Sequence, residues 1–462
     1  MAEDPWIHVV IPTGGRVETI GSTLLSCAQQ DYERLVVWVC DNSFAEETEA
    51  IVNSFSDRRF KLIRPPHRLC MAENWEFALS NITSGYVTII GDDDCLMPDC
   101  LSTVSQLIKQ YPTTPVINHL PGNYFWPNYP DAYLANKLQL RDLDFEIQLR
   151  EARPILARVS SFTEWYGHLP FLYHGFINAE HITKIKTLAD TPFFNFCAPD
   201  IYSDIVLALH TEQFLVVNSP LTLGGQSAKS NGANYAAKNS IAKQFISELP
   251  EHLRFTYDSM SSSLAVFNAL EIAFKAFPDQ SADIVIDYDR LLANAIHEVT
   301  PYGAEALSEL RGKLLLIYPE AAVDKAFAAM DKPTDEIISP APNPPALPKR
   351  LARKLVSGLA SCKALLWKAR NAAKREAEKE PLAEASHHSG LHWQDNTVVL
   401  DGYLDLSDSK VTTVDKAAQY LHECLCRMQS MGPSSKHRAT DALQDPGSPT
   451  EEPQSAITSP FT

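Results

Sequence analysis

The chain has 462 residues, 45% of them hydrophobic and 21% charged, enough to bury a large core and, at roughly 150 residues per unit, to hold two or three units. A formal net charge of -17 excludes nonspecific binding of nucleic acid by the whole chain, and no run approaches the ~18 uninterrupted apolar residues that a membrane span requires. Nine cysteines without paired CxxC spacing argue against a disulfide scaffold and for a reduced, cytosolic setting, with Cys27, Cys40 and Cys70 as small core residues. The start, MAEDPWIHVVIPT, has neither the charge nor the length of a secretory signal or an anchor.

Strand and helix signals alternate from the first residues. IHVVIPT (7–13) reads as a buried strand that breaks at Thr13-Gly14-Gly15-Arg16, and residues 18–30 follow as a helix with Ile20, Leu24, Leu25 and Ala28 on one face. RLVVWVCDNS (34–43) is a second strand stopped by Asp-Asn-Ser, and ETEAIVNSF a second helix. A strand at 60–65, a helix at 72–81 and a strand at 86–94 continue the series. Such βαβ repetition predicts an α/β fold with a mostly parallel sheet, right-handed crossovers and helices on both faces. Ligands bind such sheets outside the carboxyl ends of the strands. The clusters Thr13-Gly14-Gly15-Arg16, Asp41-Asn42 and Asp92-Asp93-Asp94 all fall at those ends and are expected to converge on one crevice.

The first two clusters also have plain structural readings. Gly14-Gly15 suits a turn and is not the GxGxxG dinucleotide pattern, and Asp41 suits an Asx turn after a strand. The acidic triplet in GDDDCLMPDC (91–100) is harder to explain that way, because a helix cap needs one carboxylate and Pro98 could begin a helix without any. Adjacent aspartates repel, so the arrangement calls for a cation or a positive cluster, and a divalent ion is the first candidate.

The order IPTGGR, VVWVCDNS, MAENWEFAL and IIGDDDCLMPDCL, over residues 7 to 110, resembles the nucleotide-sugar-binding half of glycosyltransferase family 2, whose fold is GT-A, a Rossmann-like sheet. The resemblance implies that Pro12, Thr13 and Arg16 touch the nucleotide, that Asp41 recognises the base, usually uracil, and that Asn74 lies near the nucleotide. The family's aspartate motif commonly reads Asp-x-Asp with a further Asp; aligned on Pro98, its first Asp falls on Gly91, which is a departure. Asp93 then takes the principal metal position, and Asp92 or Asp94 supplies the ribose or supporting role, so Asp92, Asp93 and Asp94 are all candidate metal ligands. The chemistry suits these residue types, since Mg²⁺ or Mn²⁺ on one or two hard carboxylates can neutralise a departing diphosphate.

The family mostly inverts the anomeric centre, with an Asp or Glu deprotonating the acceptor about a hundred positions after the metal motif. FCAPDIYSDIVLALH (196–210) meets that requirement: Pro199 and Asp200 open a predicted helix with Ile201, Ile205, Ala208 and Leu209 on its apolar face. Asp200 is the candidate base and Asp204, one turn later, the fallback; a favourable charge in the first helical turn is the plain reading of Asp200. In LTLGGQSAKSNG (221–232), Ser227, Lys229 and Ser230 are candidate phosphate donors, as the loop that closes over the diphosphate in relatives, although a Gly-Ser-Asn surface loop has the same letters.

The aromatic stretches NYFWPNYP (123–130) and SFTEWYGHLPFLYHG (161–175) are read as packing rather than sugar-stacking surfaces, and His168 and His174 as structural. These divide the chain into a catalytic domain at 1–240 (nucleotide-sugar half 1–115, acceptor half 116–240), a helical region at 241–335, and a Pro-rich linker at 336–348. A basic amphipathic helix is expected at 349–385, where residues 349–375 carry nine Lys or Arg and no acid, suited either to anionic lipid or to packing on the acidic protein itself. A small α/β unit at 386–428 and a disordered tail at 429–462 complete the chain.

The expected function is a metal-dependent (Mn²⁺ or Mg²⁺), inverting, hexosyltransferase-type enzyme that uses a nucleotide sugar, a UDP-sugar first, and a saccharide or glycolipid acceptor, as in polysaccharide biosynthesis. Its expected setting is cytoplasmic, with peripheral membrane contact through 349–375, and without nucleic acid as a partner. The alternatives are a noncatalytic GT-A-like scaffold recruited through the basic helix, and nucleotidyl transfer, against which the lack of a Gly-rich phosphate loop ending in Lys or Arg counts.

Overall fold

The computed structural model of the protein describes residues 3–230, 249–257, 260–328, 391–394, 397–400, 402–407 and 409–431. The Pro-rich stretch 336–348, the basic segment 349–375 and the chain from 432 onward lie outside the described residues. The strands, in chain order, are β1 (Ile7–Thr13), β2 (Leu35–Asp41), β3 (Phe60–Ile63), β4 (Tyr86–Ile89), β5 (Cys95–Leu96), β6 (Val116–His119), β7 (Gly122–Phe125) and β8 (Lys137–Gln139). They continue with β9 (Ile147–Glu151), β10 (Phe176–Asn178), β11 (Gln213–Val217), β12 (Thr222–Gln226), β13 (Leu391–Gln394), β14 (Thr397–Leu400) and β15 (Leu404–Asp405). The helices of the sheet region are α1 (Val17–Ala28), α2 (Glu46–Ser54), α3 (Met71–Leu79), α4 (Cys100–Gln110), α5 (Ala152–Ser160), α6 (Ala179–Lys186) and α7 (Pro199–His210).

Eight strands form the main sheet in the order β3-β2-β1-β4-β10-β6-β11-β9. β1 to β4, β6 and β11 run one way; β9 and β10 run against them. The mostly parallel α/β sheet read from the sequence is therefore present, and β1 shows why both its faces are covered. Ile7, Val9 and Ile11 pack with Ile20, Leu24 and Leu101 on one side, while Val10 packs with Trp75, Ala78 and Ile177 on the other. Each such side chain stabilises the fold by about 1.5–3 kcal/mol relative to exposure. The buried face of α1 centres on Ile20, Leu24 and Cys27. Leu25 and Ala28, placed by periodicity on that face, lie at its partly exposed edge.

A second sheet, β15-β8-β7-β12-β5, stands beside the carboxyl ends of the first. Its outer strand comes from the far end of the chain: Leu404 pairs with Leu138, and Leu143 exchanges backbone hydrogen bonds with Val398 at 2.7 and 2.9 Å. The helix Val414–Met431 packs on α1, β5 and β12, and Cys95 donates its thiol to the Val414 carbonyl at 3.4 Å. The helices Ser262–Ala276, Tyr288–Val299, Ala304–Leu314 and Glu320–Ala328 extend the layer that contains α5 and α7, as their 3.6-residue apolar period requires. Cys27, Cys40, Cys70, Cys95, Cys100, Cys197 and Cys424 are buried thiols, none of them in a disulfide among the described residues. Among the described residues no helix is long and apolar enough to cross a membrane.

Candidate active site

The acidic triplet is not on a strand. β4 ends at Ile89, and the predicted strand to residue 94 gives way to a turn, because Asp94 accepts hydrogen bonds that no flat strand offers. The Gly91 amide donates to Asp94 Oδ2 at 2.5 Å, and the Asp94 amide returns to the Gly91 carbonyl at 3.2 Å. Tyr173 donates its hydroxyl to the same Oδ2 at 2.6 Å, and the Gly225 amide donates to Oδ1 at 2.7 Å. Asp94 thus faces inward and ties the triplet to β12. The turn also bears on the departure at Gly91: a Cβ there would lie 2.9 Å from both Asp94 Oδ2 and the Tyr173 hydroxyl, so an aspartate would have to displace them.

Asp92 and Asp93 face the other way, toward the turn after β1. Thr13 donates its hydroxyl to Asp92 Oδ2 at 2.6 Å and accepts from the Gly15 amide at 3.1 Å, which fixes its rotamer. Gly15 has φ of +89°, a left-handed conformation that the tight turn before α1 requires. Arg16 Nη1 reaches Asp92 Oδ1 at 2.8 Å and Asp93 Oδ1 at 3.3 Å. Ser227 and Ser230 donate to Asp93 Oδ2 at 2.7 and 2.6 Å, and Trp126 Nε1 donates to the Asp93 carbonyl at 3.0 Å. Burial pushes the Asp92 carboxyl up to about 6 against the pull of Arg16, and pushes Asp94 up to about 7, with the Asp93 charge adding to it. For Arg16, burial opposes the charge but Asp92 and Asp93 outweigh it and hold the guanidinium above its usual range.

The cation that the triplet calls for is here a guanidinium nitrogen seated between two carboxylates. Those facing oxygens, with the Ser227 and Ser230 hydroxyls beside them, are a hard-oxygen set that suits a divalent ion. Among the described residues no group of three or more His, Cys, Asp or Glu could hold an ion by itself, so an ion at Asp92 and Asp93 would draw its remaining oxygens from a ligand.

The other predicted residues lie at or near the carboxyl ends of β1, β2 and β12 and in α3. Pro12 is in β1, paired with Cys40. Asp41, at the end of β2, is buried; it accepts from the Ser43 amide at 2.9 Å and from Arg64 Nε at 3.0 Å, while Arg64 also pairs with Glu49. The Asx turn is therefore present, and both carboxylate oxygens of Asp41 are engaged, Oδ1 by Ser43 and Oδ2 by Arg64. Asn74, in α3, is buried and accepts from the Cys40 thiol at 3.1 Å. Lys229 pairs with Glu18 of α1 at 2.7 Å, bridging the Ser227 loop to the Arg16 turn.

Asp200 opens α7 behind Pro199, partly buried, and burial raises its carboxyl above the usual range. Asp204 is buried, its Oδ1 has no hydrogen-bond partner, and burial together with the Asp200 charge pushes it well up. The Leu172 amide faces Asp204, and the next residue, Tyr173, holds Asp94, so one short segment joins the two acidic groups. Trp75 stacks on Tyr173 at 5.5 Å. Tyr173, Arg64 and Trp126 were not legible as site residues, because only the chain crossing places them there. His174 is packed as expected of a structural histidine: Thr222 lies 2.7 Å from Nδ1, Asp94 lies 3.3 Å from Nε2, and burial lowers it to about 3.

Strand order, the second sheet and an acidic turn at the carboxyl ends define a GT-A-type α/β fold. Residues 8–163 match the model of glycosyl transferase family 2. The chain is similar to the UDP-Glc:alpha-D-GlcNAc-diphosphoundecaprenol beta-1,3-glucosyltransferase WfgD of Escherichia coli, 24% identical over 123 residues; the match covers 26% of this chain and 47% of that protein. Solved structures similar to it include S. aureus TarS 1-349 in complex with UDP-GlcNAc (14% identity, TM-score 0.41, covering 70% of this chain and 89% of that one). Another is the mannosyltransferase PcManGT from Pyrobaculum calidifontis in complex with GDP-Man and Mn2+ (16% identity, TM-score 0.33, 72% and 89%).

Proposed function

We propose that the protein is an inverting glycosyltransferase that moves a hexosyl unit from a UDP-sugar to a hydroxyl of a saccharide or lipid-linked acceptor. The observation that carries this reading is the convergence of Thr13, Arg16, Asp92, Asp93, Ser227 and Ser230 on one point, where a buried acidic pair meets a cation and hydroxyl donors. Asp41, Asn74 and Pro12 take the nucleoside, and the donor class is supported by the relative that uses UDP-Glc. Asp93 and Asp92 are the residues that would hold Mn²⁺ or Mg²⁺, which when bound would supply positive charge against the departing diphosphate. Arg16 and the loop hydroxyls orient the donor and exclude water from it. Asp200, ionised, accepts the proton of the acceptor hydroxyl; the acceptor oxygen bonds to the anomeric carbon as the bond from that carbon to the diphosphate breaks, and the diphosphate leaves with the electron pair. Asp94 acts through position, holding the turn to β12. The basic segment 349–375 brings the enzyme to an anionic membrane surface on which a lipid-linked acceptor would lie.

Asp200→Asn tests the reading. Transfer should fall by about 10²–10⁴ while UDP affinity stays within about twofold, because the amide cannot take the proton yet fills the same space. Equal loss of UDP binding would place Asp200 in the fold rather than in the reaction.

A further inference from the structure

Every carboxylate oxygen of Asp92 and Asp93 is engaged by the chain itself. Thr13 donates to Asp92 Oδ2, Ser227 and Ser230 donate to Asp93 Oδ2, and Arg16 Nη1 spans the two remaining oxygens at 2.8 and 3.3 Å. The acidic side chains are nearly sealed, 3% and 5% exposed. A divalent ion reaches these carboxylates only by taking the place of a donor. The hydroxyls are neutral and can stay beside it, whereas a guanidinium and a metal ion repel each other and compete for the same two oxygens.

Arg16 can leave without disturbing the fold. Its backbone is fixed just before α1, where its carbonyl accepts from the Thr19 and Ile20 amides at 3.2 and 3.1 Å, so movement is confined to the side chain. That side chain is 19% exposed, and Nη1 makes all of its hydrogen bonds to the described residues. Nε and Nη2 remain as donors on the edge that a phosphate takes as a two-pronged partner. The carboxylates, in turn, keep their places without Arg16, because Thr13 grips one and Ser227 and Ser230 the other. Moving Arg16 away by itself leaves two buried like charges facing each other and a guanidinium without a partner. Both costs are relieved together when an ion replaces the guanidinium and an anion receives it.

We propose that Arg16 is a built-in competitor of the divalent ion: it holds Asp92 and Asp93 until a nucleotide diphosphate receives the guanidinium, so that ion binding depends on the diphosphate. This rests on the reading of Asp92 and Asp93 as the ion's holders in a transferase that uses a nucleotide sugar.

The test uses the full chain and Mn²⁺, followed by the loss of the free-ion signal in electron paramagnetic resonance, with no nucleotide, uridine or UDP added. The parent should hold Mn²⁺ weakly by itself, about 5–150-fold more tightly with UDP, the ordinary span of coupling between two ligands, and no more tightly with uridine. Arg16→Ala should bind Mn²⁺ without nucleotide at least about tenfold more tightly than the parent. Arg16→Gln, closer in size, should show the same gain and carries the test if the alanine variant does not fold, while Arg16→Lys keeps a cation and should stay near the parent. Adding Asp93→Asn to either neutral variant should remove the gain, which separates this turn from the other acids of a chain with net charge -17. The inference is overturned if neither neutral variant gains affinity, if the gain survives Asp93→Asn, or if UDP binds and the parent holds Mn²⁺ equally without it. UDP titrated in the presence of Mn²⁺ separates the two levels. A gain in the neutral variants with UDP silent throughout removes the transferase reading and leaves the competition standing; UDP and Mn²⁺ binding together to the parent, with no gain in the variants, does the reverse.

Discussion

Two groups of buried carboxylates sit at opposite ends of the Leu172–Tyr173 connection, and they are solvated differently. In the turn at residues 92–94, every carboxylate receives hydrogen bonds, from Thr13, Arg16, Ser227, Ser230, Tyr173 and the amides of Gly91 and Gly225. At the mouth of α7, Asp204 keeps an oxygen without a partner, and no cation pairs with Asp200 or Asp204 among the described residues. Donors around a carboxylate stabilise its charge, whereas burial without donors favours its proton. Burial raises carboxyls in both groups; what sets the first apart is that a guanidinium, that of Arg16, meets two of its carboxylates, while among the described residues the second has none.

Asp93→Asn should break the first group most. The amide cannot serve as the charged partner of Arg16 or of an ion, and transfer should fall by about 10²–10³, the size of losing one preorganised electrostatic contact, with UDP-sugar binding weakened in isothermal titration. If the rate and the affinity both hold, the hydroxyls of Ser227 and Ser230 serve only the fold.

Gly91→Asp, which would restore the acid of the commoner motif, should cost about 1–3 kcal/mol in denaturant unfolding, because the new side chain meets Asp94 and Tyr173 in space already filled. A variant as stable as its parent would mean that the turn has room for a fourth acid.

Asp204→Asn sharpens the second group. The folded state raises the Asp204 carboxyl above its ordinary 3.8, so its contribution to stability is present below that value and is lost as pH rises through the folded value. The parent should therefore lose stability on going from about pH 4 upward, by as much as about 1.4 kcal/mol per pH unit within that window, and the asparagine variant should show a flatter profile. Parallel profiles would show that Asp204 ionises in the fold without cost.

The sheet was legible because its strands are continuous runs such as VVWVC and its helices keep a 3.6-residue period; those signals are local. The placement of Thr13, Arg16, Asp41 and Asp92 to Asp94 at or just past the carboxyl ends of neighbouring strands was legible too, since parallel βαβ units bring those ends together. The turn at Asp92 to Asp94 was not, because what ends β4 is a set of contacts from Tyr173 and Gly225, roughly 80 and 130 residues away in sequence. The union of β15 with β8 and of the helix Val414–Met431 with α1 was equally hidden: an amphipathic pattern shows that a face is buried without saying against what. The aromatic stretches divided in the same way. Tyr124, Phe125 and Trp126 are core, as read, while Trp165 in the same kind of sequence is exposed.

The measurement closest to the root is the thermal stability of the full chain with a UDP-sugar, with and without Mn²⁺. A bound donor at 100 Kd should add about 2.7 kcal/mol to the folded state, and that gain should need both the ion and Asp93. A donor that stabilises the parent and Asp93→Asn alike, regardless of Mn²⁺, or one that stabilises neither, would contradict an acidic turn made for a cation shared with a diphosphate.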